Sequence, residues 1–572
     1  MEPLGREQQE RIAELLKRWK PLDDREGIES PMSPLLQFAQ TSTDARANNT
    51  RWDQSTSVLI TYGDSIQRSG EPCLITLTGF INQHLMPLGT VVHVLPFLQA
   101  TSDGGFAVAS HEKLQEHLGD WEALECLSAG RTLMADLVLN HVSAAHPWVQ
   151  QFRQRQEPGL HCVLAPDPDA DWSQVVRPRS SALFTPLQTQ DGLVPVWTTF
   201  GPDQVDVDWS SPAVLEGYAS LLARMVRHGV SWLRLDAVGY VWKEPGSSCI
   251  HHPRAHLLVK LLRTLLESIR SDGVVVTETN VPEDENLSYL RPGDEAHIAY
   301  NFPLPPLLLE AVQRERPDLL NRWLNRWPSL PNQTTLLNFS ASHDGIGLRP
   351  LEGLMESDRL EQLLEGCERR GGLISHRRLS DGAERPYEIN ISWWAAMAGG
   401  GRDPSLHQRE RYRLSQLLVI ALPGVPAFYL PTLLASANDE ASFRRSGQRR
   451  DLNRERFDVE MVERRLEDPY SDTQFTLQTI REAMAVRATL PAFDPQAAFE
   501  TLSGSMADRV ILKRGSGANS VWAVHNFSAN RINLDLRSLA NQEHWCDRLQ
   551  DSAPVAAQLT LAPFAVHWLQ PC

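Results

Sequence analysis

The stretch Ser231-Trp-Leu-Arg-Leu-Asp236, running on into Ala237-Val-Gly-Tyr240, decides the fold. Side chains two apart on a β-strand share a face. Trp232, Arg234 and Asp236 therefore point one way, and Leu233 and Leu235 the other. A short apolar run with a guanidinium and a carboxylate on one face, ending just before a glycine, reads as a strand that delivers charge to a site. Arg234 would favour the ionised form of Asp236, the form a carboxylate nucleophile requires. A structural ion pair at a strand end would leave the same hexapeptide, so the rest of the chain must decide.

Outward from this stretch, short apolar runs recur, each followed by a helical pattern. They are Val58–Tyr62, Val91–Leu95, Leu133–Leu139, Ser231–Asp236, Val274–Thr277, His297–Tyr300, Thr335–Phe339 and one contained in Leu418–Tyr429. Strands alternating with helices make parallel β-α units. Eight of them, with large insertions, suit a closed (β/α)8 TIM barrel, an α/β fold. Before the barrel, residues 6–19 carry Ile12, Leu15, Leu16 and Trp19 at helical spacing, and residues 21–56 are polar and read as surface loop.

The expected organisation is an N-terminal helix and surface extension over 1–50, then the first part of the barrel over 51–143. An inserted subdomain after the third strand, rich in Pro, Asp and Trp, spans 144–205. The second part of the barrel covers 206–490 and contains a charged loop insertion at 350–392. Short alternating runs at Val510–Lys513, Ser520–His525, Ile532–Leu536 and Ala565–Leu569 predict an antiparallel β domain over 491–572.

Composition narrows the function. The 572 residues are 42% hydrophobic and 22% charged, as in soluble globular proteins, and the net charge is −16. That balance argues against nucleic acid or an anionic membrane as partner, while local arginines can still build a pocket for a small anion. The seven cysteines (73, 126, 162, 249, 367, 546 and 572) include no CxxC pair and suggest neither a disulfide framework nor a zinc site. The polar start is no signal peptide, and no stretch approaches the roughly 18 apolar residues of a membrane span. A reducing, cytoplasmic setting is the simplest reading.

Barrel chemistry sits at the C-terminal ends of the strands, and there the charged residues gather. The third strand ends Ala135-Asp-Leu-Val-Leu-Asn-His-Val142, the fourth Arg234-Leu-Asp236, the fifth Val276-Thr-Glu278, and the seventh is followed by Ala341-Ser-His-Asp-Gly345. Each alone reads equally as a cap or turn residue, and Asp136, inside its strand, reads as structural. Four in register point to a site. Three acids at one mouth fit glycoside cleavage with retention. Asp236 would attack the anomeric carbon, and Glu278 would be general acid and then base, its carboxyl raised by neighbouring aspartates. Asp344 would bind sugar hydroxyls and favour a distorted ring, with His141 and His343 donating hydrogen bonds to hydroxyls. No HxH or HExxH spacing exists, so neither a metal nor a cofactor is expected.

These segments, in this order, resemble the α-amylase superfamily (glycoside hydrolase family 13), and more closely its sucrose phosphorylase branch. Arg234-Leu-Asp-Ala-Val-Gly-Tyr240 with Lys243-Glu-Pro-Gly-Ser-Ser-Cys249 carries the resemblance. So do Ile60-Thr-Tyr-Gly-Asp64, Leu95-Pro-Phe97, Asp103-Gly-Gly-Phe106, Phe302-Pro-Leu-Pro-Pro306, His343-Asp-Gly-Ile-Gly347 and Leu422-Pro-Gly-Val-Pro426. The resemblance implies glucose held by Asp103, His141, Arg234, His343, Asp344 and Arg450, with Arg454 as the alternative to Arg450. It implies apolar walls at Phe106 and Tyr240, residues that core packing would also explain. It further implies a glucosyl-Asp intermediate taken up by inorganic phosphate, with Arg179 of Arg177-Pro-Arg179 at the phosphate-binding position. Arginine forks suit phosphate, although two arginines in a Pro-containing loop read blind as solvated charges.

The resemblance departs from sucrose phosphorylases where those hold fructose or phosphate. Pro386-Tyr-Glu-Ile-Asn390 puts Tyr387 and Glu388 where they carry Tyr-Gln, and Val176 stands in place of a Tyr. The loop Glu368-Arg-Arg-Gly-Gly-Leu-Ile-Ser-His-Arg-Arg378 is longer and more basic. Arg369, Arg370, His376, Arg377 and Arg378 would suit an anionic acceptor, or be a solvated stretch balancing acidic neighbours. The expected activity is a retaining α-glucoside phosphorylase releasing α-D-glucose 1-phosphate. Glucosylglycerate is the favoured donor over sucrose, sucrose 6-phosphate and glucosylglycerol. A retaining α-glucosidase or transglucosylase, and a non-catalytic homologue, are the competing readings. The expected partners are a small-molecule glucoside and inorganic phosphate; the oligomeric state is not legible in the sequence.

Overall fold

The structure, a computed structural model, describes residues 6–19, 51–179, 181–378, 383–401, 403–502, 506–540, 542 and 544–572. Most of the polar segment expected as surface loop over 21–56 lies outside the described residues. Eight parallel strands close into a barrel: β1 (Val58–Thr61), β2 (Val91–Val94), β3 (Thr132–Val138), β4 (Val230–Asp236), β5 (Val274–Thr277), β6 (Ile298–Tyr300), β7 (Thr335–Phe339) and β8 (Val425–Tyr429). They are hydrogen-bonded in sequence order round the ring, with β8 closing on β1. All eight expected runs contribute a strand. In the last of them residues 418–421 finish the helix Gln408–Ala421, and the strand follows only after Pro423 and Gly424.

Alternation divides each strand between two cores. Ile60, Met134, Trp232, Val276, Ile298, Leu337 and Ala427 fill the barrel interior. Leu59, Val92, Ala135, Leu233, Leu235, Val275 and Leu336 pack outward under the helical ring. With residues so placed, β4 must turn Arg234 inward beside Trp232, because a shift of one residue would exchange the two faces. The N-terminal helix Arg6–Trp19 buries Ile12, Leu15, Leu16 and Trp19. The Trp19 ring meets Trp209 and Trp242 edge-on at 6.2 and 5.4 Å, fixing this helix to the barrel wall.

Between β3 and β4 the strands His141–Ser143 and Gln204–Asp206 pair antiparallel, and Phe184–Thr189 forms a hairpin with Gly192–Trp197. The charged insertion is more ordered than a loop. It holds the helix Ser357–Glu368 and the strands Leu373–Arg378 and Glu384–Asn390, the latter running between Leu373–Arg378 and the strand Ile346–Gly347 just before the insertion. The C-terminal region is a six-stranded antiparallel sheet joined by a two-stranded one.

One sequence expectation is corrected there: Cys546 and Cys572 are joined by a disulfide, with Cα atoms 5.7 Å apart. Antiparallel pairing of Cys546 with Gln570 brings the last residue alongside, a register that a separation of 26 residues does not reveal. No described helix is long and apolar enough to cross a membrane.

Candidate active site

Register alone gathers the acids. Asp136 pairs with Arg234 and Val138 with Asp236. On the other side Thr277 pairs with Leu235, so Glu278 falls next to Asp236 at the strand ends. The chain then turns sharply: Ala237 takes a left-handed conformation, φ 51°, and its amide N–H donates to Glu278 Oε2 at 3.3 Å.

The Arg234 guanidinium is the hub, 1% exposed. Its Nη1 donates to Asp236 Oδ1 at 2.8 Å and to Asp136 Oδ1, while Nη2 lies 3.9 Å from both Glu278 Oε2 and Asp344 Oδ2. Asp136, fully enclosed, also accepts from His93 at 2.7 Å. It anchors the arginine from below, as its mid-strand position suggested.

Burial acts on all three mouth carboxyls, with different results. Asp344 ends well below the usual range, because Arg450, with Nη1 2.6 Å from its Oδ1, and the other nearby cations outweigh burial. Asp236 and Glu278 are raised by burial, and Arg234 only partly offsets this. Two adjacent buried carboxyls titrate as a pair. Asp236 accepts a charge-assisted hydrogen bond at 2.8 Å, whereas the guanidinium stays 3.9 Å from Glu278. A single proton shared by the pair therefore rests on Glu278.

These acids open onto a cavity also lined by Asp103, Phe106, His141, Tyr240, Arg450, Arg179 and Tyr387. Arg234 lies beneath its floor. His343 stands behind the wall, its ring stacked on Phe106 at 5.3 Å and its Nε2 3.5 Å from Asp344. His141 Nε2 is 3.2 Å from the Phe106 carbonyl. Of the two arginines weighed for the glucose site, Arg450 reaches the cavity. Arg454 donates to the His343 carbonyl at 2.8 Å and covers the Tyr62 ring.

The guanidinium of Arg179 lies 5.9 Å from the centre of the Tyr387 ring, over its face. Glu388 does not line the cavity. Its two oxygens grip Arg450 at 3.0 and 2.7 Å, and Oε1 also accepts from the Gly345 amide at 3.0 Å. Its position one residue after Tyr387 on a strand turns it away from the pocket.

The basic loop divides as well. Arg370 donates to the carbonyls of Ala398 and Gly366, and Arg369 pairs with Glu365; both lie around a separate cleft. Arg377 pairs with Glu352 at 2.7 Å. The Arg378 side chain lies outside the described residues.

Sequence reasoning missed Gln204, Phe200, Asn280 and His251 on the cavity wall. Gln204 Nε2 donates to Asp103 Oδ2 at 3.0 Å and sits 3.0 Å from His141. Only the pairing of 204–206 with 141–143 brings it there, a long-range contact without a local signature. Asn280 lies two residues past Glu278, and the strand-end rule, carried that far, would have found it.

Fold and site together define a class: a parallel (β/α)8 barrel whose strand ends hold a carboxylate cluster of the kind that cleaves glycosidic bonds. The catalytic-domain model of alpha-amylase matches residues 61–346. The glucosylglycerate phosphorylase of Escherichia coli is 35% identical, over 91% of this chain and 92% of its own. That of Allomeiothermus silvanus is 38% identical, over 83% and 85%. The solved sucrose 6F-phosphate phosphorylase of Thermoanaerobacter thermosaccharolyticum shares the fold at 21% identity, with TM-score 0.72 over 84% of this chain and 95% of that one. The chain belongs to the α-amylase superfamily, glycoside hydrolase family 13, in its sucrose phosphorylase branch.

Proposed function

We propose that the protein is a retaining α-glucoside phosphorylase that cleaves glucosylglycerate with inorganic phosphate, giving α-D-glucose 1-phosphate and glycerate. The observation that carries this reading is the placement of the three cavity carboxylates, Asp236, Glu278 and Asp344, within 4 Å of one buried guanidinium that Asp136 anchors from below, in a chain whose relatives at 35% and 38% identity are glucosylglycerate phosphorylases.

In the first displacement an Asp236 oxygen attacks C1 of the glucosyl unit. Glu278 gives its proton to the departing glycerate oxygen, and the C1–O bond breaks as the glucosyl-Asp236 ester forms. In the second, a phosphate oxygen attacks C1 from the vacated side, the ester bond breaks, and Glu278 accepts any proton the nucleophile carries. Asp344, ionised between Arg450 and Arg234, supports the positive charge that develops at the anomeric centre. Arg179 supplies a fork for phosphate. Asp103, His141 and Gln204 face the cavity as hydrogen-bonding groups for sugar hydroxyls, and Phe106 and Tyr240 form its apolar walls.

The test is incubation with glucosylglycerate, glucosylglycerol, sucrose and sucrose 6-phosphate, with and without phosphate. Glucose 1-phosphate forming from glucosylglycerate only when phosphate is present is expected. Free glucose at an equal rate without phosphate would establish a hydrolase instead. Asp236→Asn is expected to lower kcat by about 10⁴-fold or more, measured as glucose 1-phosphate release.

A further inference from the structure

Beyond the residues assigned above, one buried cation near the cavity lacks hydrogen-bond partners for part of its fork. Arg349 follows the short strand Ile346–Gly347 and is 7% exposed, yet its Nε and Nη1 have no hydrogen-bond partner. Its nearest carboxylate, Glu352, stands 3.9 Å from Nε and is already engaged by Arg377 at 2.7 Å. A buried guanidinium left so incompletely paired costs free energy unless an anion completes it.

Its position shows where that anion would lie. Gly347 packs directly against Asn280, so closely that a Cβ there would come within 2.4 Å of the Asn280 amide. The next amide, Leu348 N–H, donates to the Tyr387 carbonyl at 2.9 Å. The segment leading into Arg349 therefore runs immediately behind the wall built by Asn280 and Tyr387. That wall continues from Glu278, on the side where the leaving oxygen departs. The charges of Arg349 and Arg377 both bear on the Tyr240 hydroxyl, and Arg349 also bears on His251. Asn280 Oδ1 has no hydrogen-bond partner either. With Arg179 over Tyr387, three arginines stand around this end of the cavity, where Glu352 is taken up by Arg377, Glu285 by His251 at 3.2 Å, and Glu278 belongs to the catalytic wall, so that Arg349 keeps no carboxylate of its own within hydrogen-bonding distance.

We propose that Arg349 is a specificity-determining residue that selects an acceptor carrying a carboxylate over a neutral one. The inference rests on the phosphorylase reading above, and the test separates the two. Wild type, Arg349→Met and Arg349→Lys are assayed on glucosylglycerate and on glucosylglycerol, with phosphate varied in both. Thermal melts establish that each variant is folded. In the Met variant kcat/KM for glucosylglycerate is expected to fall about 100-fold, while that for glucosylglycerol changes less than about threefold and the phosphate KM stays put. The Lys variant recovers part of the loss. Equal losses on both glucosides, no loss on either, or a phosphate KM that rises with the neutral substrate would overturn the proposal; the last would make Arg349 a phosphate ligand. A folded wild type that releases no glucose 1-phosphate from any glucoside would instead overturn the phosphorylase reading.

Discussion

Asp236 and Glu278 carry the same functional group in the same cavity, and what touches each assigns its proton. Asp236 is bonded to Arg234 at 2.8 Å, whereas Glu278 receives one backbone amide at 3.3 Å. Burial raises Glu278 above the ordinary glutamate value. A carboxyl whose folded pKa is raised contributes stability that is complete below the unfolded value of about 4.3 and is lost as pH rises through the folded value. Glu278 therefore destabilises the fold at neutral pH. Glu278→Gln is expected to raise Tm at pH 7–8, and the gain should vanish below pH 4; melts across that range would check it. The same variant should lose about 10²–10⁴-fold in kcat/KM on glucosides, together with the alkaline limb of the wild-type pH profile. No change in Tm at pH 8 would mean that burial does not dominate at Glu278.

At the scale of elements, what the sequence reveals follows from how each contact is made. Strand ends in a parallel barrel converge by geometry, so Asp236, Glu278 and Asp344 were readable from their positions alone. The Glu388–Arg450 pair depends on the register of Glu384–Asn390 in a separate small sheet, and no local pattern fixes that. Arg369 and Arg370, for which the sequence leaves an anionic acceptor and a solvated basic stretch both open, follow the helix Ser357–Glu368 into a different cleft. The loop after β7 and this sheet meet at Gly345, where a Cβ would lie 2.4 Å from Glu388 Cγ and 2.7 Å from the Ile389 carbonyl. Gly345→Ala must push the loop and the sheet apart, at a cost of about 1–3 kcal/mol. Asp344 moves with the loop, and kcat/KM should drop about 100-fold. Gly401→Ala, where nothing lies within 4 Å, should change neither stability nor rate. Denaturant melts and initial rates on the two variants would show whether close approach is what places Asp344.

Across the whole molecule, the end of the barrel away from the cavity is held by arginines that serve structure. Arg514, in the C-terminal sheet and fully buried, donates to the Ala421 carbonyl at 2.8 Å and to the Asp494 carbonyl at 2.7 Å. Arg487 reaches the carbonyls of Ile420, Gly424 and Phe493, and also that of Gln54. Ala421 ends the helix Gln408–Ala421, where carbonyls lack partners within the helix and a cation is favourable. The two side chains thus tie the C-terminal sheet, the helix before β8 and the approach to β1 into one block. Arg514→Met keeps much of the volume but leaves the buried Ala421 carbonyl and the part-buried Asp494 carbonyl without this donor, a cost of about 1–3 kcal/mol for the buried one. Tm should fall by several degrees. Because these contacts lie at the N-terminal ends of the strands, kcat at 25 °C for the folded enzyme should stay within about twofold of wild type. Melting curves and rates measured on the same sample decide the matter. A large loss of kcat without a fall in Tm would mean that the C-terminal sheet reaches the chemistry through the barrel, instead of only holding the barrel closed.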